Sequence, residues 1–137
     1  MAHDFMRAAI AAAALTAAGC TPVSGLYYDE PIDGPYRLRA LGGAAETHIC
    51  YEKSNGACEL RVPVTVFAIA HDEDFIVAAV HPLNLPSKKL FYYVVRAFDG
   101  PRADAKRAVR GPFEHDDFVI EMRAHGVPAP NLIVPQR

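Results

Sequence analysis

Between Tyr36 and Phe98 the chain is a succession of short β-type runs separated by polar breaks. Tyr36-Arg37-Leu38-Arg39-Ala40-Leu41 alternates apolar and charged residues, the period of a strand with one face in water. Gly42-Gly43 ends it. Thr47–Tyr51 and Cys58–Val62 read as two hairpin arms, and Pro63, which has no donor for a ladder, belongs at an edge or bulge. Val64–Ala70 and Phe75–Val80 are rich in β-branched residues, and only His71-Asp72-Glu73-Asp74 separates them. After a longer polar connection, Pro82 to Lys89, comes the most aromatic run, Leu90 to Phe98. Successive strands with polar turns favour an antiparallel meander.

Cys50 and Cys58 flank Asn55-Gly56, a strong hairpin signal because both residues tolerate positive φ. A two-residue turn there would pair Cys58 with Lys53. A Cys50–Cys58 bridge therefore requires a longer or bulged loop centred near Ser54, bringing the Cα atoms within about 7 Å. Two separate buried thiols and a metal pair are the alternatives. No Cys-x-x-Cys or histidine spacing supports the metal.

The last third changes period. Asp99-Gly100-Pro101 is a turn, and Arg102 to Arg110 reads as a short helix or an irregular connection. A helix is expected from Glu114 to about His125, with Glu114 as N-cap, Phe113 and Phe118 at hydrophobic-staple spacing, and Gly126 as the stop. Asp116 and Asp117 suit the positive end of its dipole. Phe118, Val119 and Met122 form its apolar face, while Glu121, Arg123 and Ala124 can face water. Phe118-Val119-Ile120 could also be a short strand.

The N-terminus sets an address. Arg7 precedes an unbroken small and apolar run, Ala8 to Ala18, in the order of a secretory signal. Eleven helical residues rise about 16 Å, too short for a hydrocarbon core of about 30 Å. Ala17-Ala18-Gly19-Cys20 resembles the lipobox of bacterial lipoproteins, with Ala17 where leucine is usual. The resemblance implies cleavage before Cys20 and a diacylglycerol thioether and N-acyl group on that cysteine. Acyl chains at about 0.8 kcal/mol per buried CH₂ would anchor the protein stably. An ordinary secretory cut near Ala18 is the alternative. By resemblance to lipoproteins of two-membrane bacteria, Thr21 after the lipid cysteine points to the outer membrane, facing the periplasm, rather than the inner. Residues 1–19 are thus read as signal peptide and 20–35 as a flexible tether, broken by Pro22, Gly25, Pro31, Gly34 and Pro35. Residues 36–137 are read as a single domain. With Cys20 assigned to lipid, the remaining pair of cysteines suits an oxidising compartment.

A net charge of −2 shows no basic excess for nucleic acid. No site for catalysis, metal or cofactor stands out. His71-Asp72-Glu73-Asp74 lacks calcium-loop spacing and reads as a solvated hairpin tip. His115-Asp116-Asp117 reads as helix-start chemistry. His48, His81 and His125 are scattered. Alternation places Phe91 and Tyr93 on one sheet face and Tyr92 on the other. Tyr92 is therefore a candidate partner anchor, beside Asp72, Glu73 and Asp74 at the tip.

Asp74-Phe75-Ile76-Val77-Ala78, His81-Pro82, Tyr92-Tyr93-Val94-Val95 and Gly111-Pro112-Phe113 followed by Phe118 resemble small bacterial lipoproteins of the DUF3997-like type. The resemblance covers about a third of the chain, and Arg102 to Arg110 departs from it. It implies a small β-rich lipoprotein and supplies no catalytic residues. The expected architecture is α+β: an antiparallel meander of five or six strands with one C-terminal helix on one face. The expected function is a non-enzymatic binding or structural module of the cell envelope, with the membrane and another envelope protein as partners. An inhibitor of an envelope enzyme, and a small hydrolase, are the alternatives.

Overall fold

The computed structural model describes residues 26–135. Among them nine strands form two antiparallel sheets instead of one meander of five or six. In the first, β1 (Leu26–Asp33), β2 (Tyr36–Leu41), β3 (His48–Glu52) and β4 (Cys58–Val62) lie in chain order. The second contains β5 (Val66–His71), β6 (Phe75–Val80), β7 (Leu90–Val95), β8 (Val109–Phe113) and β9 (Leu132–Ile133), in the order β8-β7-β6-β5-β9. A four-residue helix, α1 (Ala105–Ala108), precedes β8, and α2 (His115–His125) follows it.

Two strands account for much of the departure. Leu26–Asp33 was expected within the tether, because Pro31 and three acids suggested solvated chain. It is instead β1, at the edge of its sheet, where Pro31 faces Arg37 in the ladder. An edge strand tolerates proline. The second is β8, which runs through Gly111-Pro112 on the outer side of β7. A Cβ on Gly111 would stand 2.7 Å from the Phe91 carbonyl oxygen, and its φ of +121° suits glycine. The chain changes sheet between β4 and β5, where Val66 N donates to Thr47 O at 2.8 Å.

Layering explains the sequence pattern. Leu38, Ile49 and Val62 of the first sheet pack on Ile69, Ile76, Val80 and Val94 of the second. On the second sheet's other face, Val77, Ala79, Phe91 and Tyr93 pack on Phe118 of α2 and on Val127. Strand β6 is therefore covered on both faces, and Ile76 to Val80 are all buried. That is why its run is continuously apolar while β2 alternates.

Helix α2 forms over the expected span. Gly126 closes it at φ 70°, donating to Met122 O at 2.9 Å. The rings of Phe113 and Phe118 lie 6.5 Å apart, as a staple requires, and Phe118 stacks on Phe91 at 4.7 Å. Phe118 is buried while Ile120 is exposed, which rules out the strand alternative. Glu121, expected in water, is half-buried and accepts the Tyr93 hydroxyl at 2.7 Å.

Candidate functional site

Cys50 and Cys58 form a disulfide with Cα atoms 5.3 Å apart. Cys58 lies opposite Glu52, so it is diagonal to Cys50 on the same face. The loop is longer than two residues: Lys53 N donates to Ala57 O at 2.8 Å, and Gly56 N to Lys53 O at 2.9 Å. Charges cluster beside the bridge. Arg37 Nε lies 2.7 Å from Asp29 and 3.1 Å from Glu52, with Arg39 near both carboxylates. Burial pushes the Asp29 carboxyl up, but hydrogen bonds from Arg37 and Arg39 outweigh it and hold the group below its ordinary value.

The hairpin tip is braced. Asp72 Oδ1 accepts Asp74 N at 2.8 Å and Phe75 N at 2.7 Å, so this carboxylate serves the turn. Arg96 Nη1 donates to Asp72 O at 2.7 Å and to Asp33 Oδ2 at 2.5 Å, tying the tip to the β1–β2 turn. Arg96 holds the Asp33 carboxyl below its ordinary range. Glu73 and Asp74 remain exposed.

Tyr92 does not stand on an open sheet face. It lies opposite Ala78 and packs against the core between the sheets, half-buried, because the first sheet covers the face it occupies. Burial raises its hydroxyl pKa. The histidines are dispersed. His81 stacks on Phe67 at 3.9 Å, His48 Nδ1 lies 2.9 Å from Glu46 O, and His125 Nε2 lies 3.5 Å from Glu121. At the start of α2, His115 and Asp116 are 3.3 Å apart and open to solvent. Cys20 lies outside the described residues.

Two features were not foreseen. One is a buried ion pair. Arg61 Nε donates to Asp99 Oδ1 at 3.1 Å and Oδ2 at 2.9 Å, with side-chain exposures of 1% and 0%. Tyr36 OH and Gly100 N also donate to Asp99, each at 2.9 Å. The other is a cleft of about 270 Å³ between the edges of the two sheets. Ile32 and Leu38 of the first sheet and Ile69, Leu132 and Ile133 of the second give it apolar walls. Tyr28, Glu30 and His71 supply polar groups. Burial, with a hydrogen bond to Glu30, pushes the Tyr28 hydroxyl up to about 12. Leu132 and Ile133 are 60% and 69% exposed, an apolar lip on a two-residue edge strand.

An apolar cleft with few polar groups can take an apolar side chain or a small amphipathic molecule. Among the described residues no helix is long and apolar enough to cross a membrane. No family model matches the chain, and no curated protein or solved structure matches it.

Proposed function

We propose that the chain is an exported, lipid-anchored binding module of the cell envelope, of the same kind as the DUF3997-like lipoproteins it resembles. Cys20 carries the lipid, and the cleft between β1 and β9 receives an apolar segment of another envelope protein. The observation that carries this reading is the cleft itself. Apolar residues from both sheets converge on it, and its outer lip leaves Leu132 and Ile133 in water. Exposed apolar residues beside a formed cavity mark a surface that gains free energy when covered.

A second reading, a modulator of an envelope enzyme acting through the tip, is favoured by the bracing of Asp72 beneath exposed Glu73 and Asp74. A rigid loop binds with less ordering cost. Cross-linked co-purification from native envelope separates the two. Leu132→Asp is expected to abolish recovery of the partner, while Glu73→Lys with Asp74→Lys leaves it unchanged. The reverse pattern would establish the tip reading and reject the cleft. Recovery that neither variant changes rejects both.

A further inference from the structure

Four cations, Arg102, Lys106, Arg107 and Arg110, fall within nine residues that hold one carboxylate, Asp104. That carboxylate caps α1, accepting Lys106 N at 3.0 Å. Among the described residues none of the four cations has a carboxylate partner, while Arg110 Nη1 donates to the carbonyl oxygens of Arg107 and Val109. Lys106, Arg107, Arg110 and Phe98 line a depression of about 350 Å³. Phe98 is 58% exposed, and the Arg110 guanidinium lies 6.0 Å from its ring centroid. A second depression of about 330 Å³ shares Lys106 with the first and is also lined by Arg61. The Arg61 side chain is 1% exposed. Its Nε serves Asp99, its Nη1 donates to Leu60 O at 3.2 Å, and its Nη2 is buried without an acceptor.

A solvated run of lysine and arginine needs no ligand. Here the cations stand beside an aromatic face, with the Arg110 guanidinium over the Phe98 ring, and the adjoining depression is lined by Arg61, whose buried Nη2 has no acceptor. We propose that this face is a binding site for a phosphate ester, its phosphoryl oxygens held by Lys106, Arg107 and Arg110 and its organic portion lying on Phe98. A phosphate monoester carries about −1.5 to −2 charge near neutral pH, which answers several cations better than one carboxylate does. Guanidinium forks match phosphate geometry, and an aromatic ring offers a face to a planar or apolar substituent.

Calorimetric titration of the mature chain carrying Cys20→Ala, which has no acyl groups to hold it on vesicles by themselves, with inorganic phosphate and with phenyl phosphate tests the site. Phenyl phosphate is expected to bind more tightly than inorganic phosphate, and both to weaken with added salt. Lys106→Glu and Arg107→Glu replace exposed side chains and are expected to leave the thermal midpoint in place. Each is expected to weaken both ligands at least about tenfold, or about 1.4 kcal/mol. Phe98→Ala is expected to remove the advantage of phenyl phosphate and leave inorganic phosphate unchanged. Retention on phosphatidylglycerol vesicles that phenyl phosphate competes away identifies a lipid headgroup as the source of the phosphoryl group. Phenyl phosphate binding without vesicle retention identifies a soluble ester. No binding of phenyl phosphate at millimolar concentration, or binding indifferent to Lys106→Glu and Arg107→Glu, overturns the proposal. So does vesicle retention that phenyl phosphate leaves unchanged.

Discussion

Arg61 lies in β4 and Asp99 follows β7, yet their side chains meet where almost no water reaches either. Burying two charges costs several kcal/mol each, and the pair persists because Tyr36 OH, Gly100 N and Arg61 Nε all serve the carboxylate. Deleting Arg61 leaves a buried carboxylate without its cation, held only by the Tyr36 hydroxyl and Gly100 N. Arg61→Ala is therefore expected to cost about 3–5 kcal/mol of unfolding free energy, read as a fall in urea midpoint. A cost under about 1 kcal/mol would mean that the pair is hydrated. Two tyrosines make a separate prediction. The Tyr28 and Tyr93 hydroxyls are pushed up to about 12, by burial first and then by Glu30 and Glu121 respectively. An unfolded tyrosine ionises near about 10, so the unfolded state releases these protons first. The stability they contribute is present below about pH 10 and is lost as pH rises toward about 12. Urea midpoints across that window should fall as unfolding-linked phenolate absorbance appears. Flat midpoints would contradict the shifts.

The disulfide hairpin is the element whose contribution is simplest to isolate. Cys50 and Cys58 are eight positions apart, and closing so short a loop lowers denatured-state entropy by about 2–3 kcal/mol. Replacing both with alanine is expected to lower the unfolding free energy by about that amount while the second sheet stays folded. An unchanged urea midpoint would mean that the turn alone holds the hairpin. This element was legible because its signals are local: two cysteines, Asn55-Gly56, and a register that made a longer loop necessary. Helix α2 was legible for the same reason, through its staple, its first-turn acids and Gly126. Strand β1 was not, because Pro31 and its acids read as solvated chain until an edge position accounts for them. Strand β8 was hidden because Val109–Phe113 is short, and its conformation depends on the tertiary approach of Gly111 to Phe91. Nothing local marks Arg61 as the partner of Asp99, since alternation predicts a face and not a contact 38 positions away.

At the scale of the molecule, the sandwich has two differently built edges. One carries the apolar cleft between β1 and β9. The other, where β4 and β8 lie, carries the unpaired cations of α1 and β8. The cationic site comes from one stretch of chain, Phe98 to Arg110, but the residues of the cleft are far apart in sequence. The cleft takes Ile32 and Leu38 from one sheet and Leu132 and Ile133 from the other, so only the packing of the sheets assembles it. Tyr92 illustrates the same limit. Its alternation with Phe91 and Tyr93 was readable, but the presence of a second sheet, which decides which face meets water, was not. The functional account joins this domain to a membrane through Cys20. Its most direct test is metabolic labelling of cells with a tagged fatty acid, followed by mass analysis of the purified protein. A labelled chain whose mature N-terminus is Cys20, and loss of the label in Cys20→Ala, are expected. An unlabelled wild-type chain, or label retained by Cys20→Ala, would contradict it.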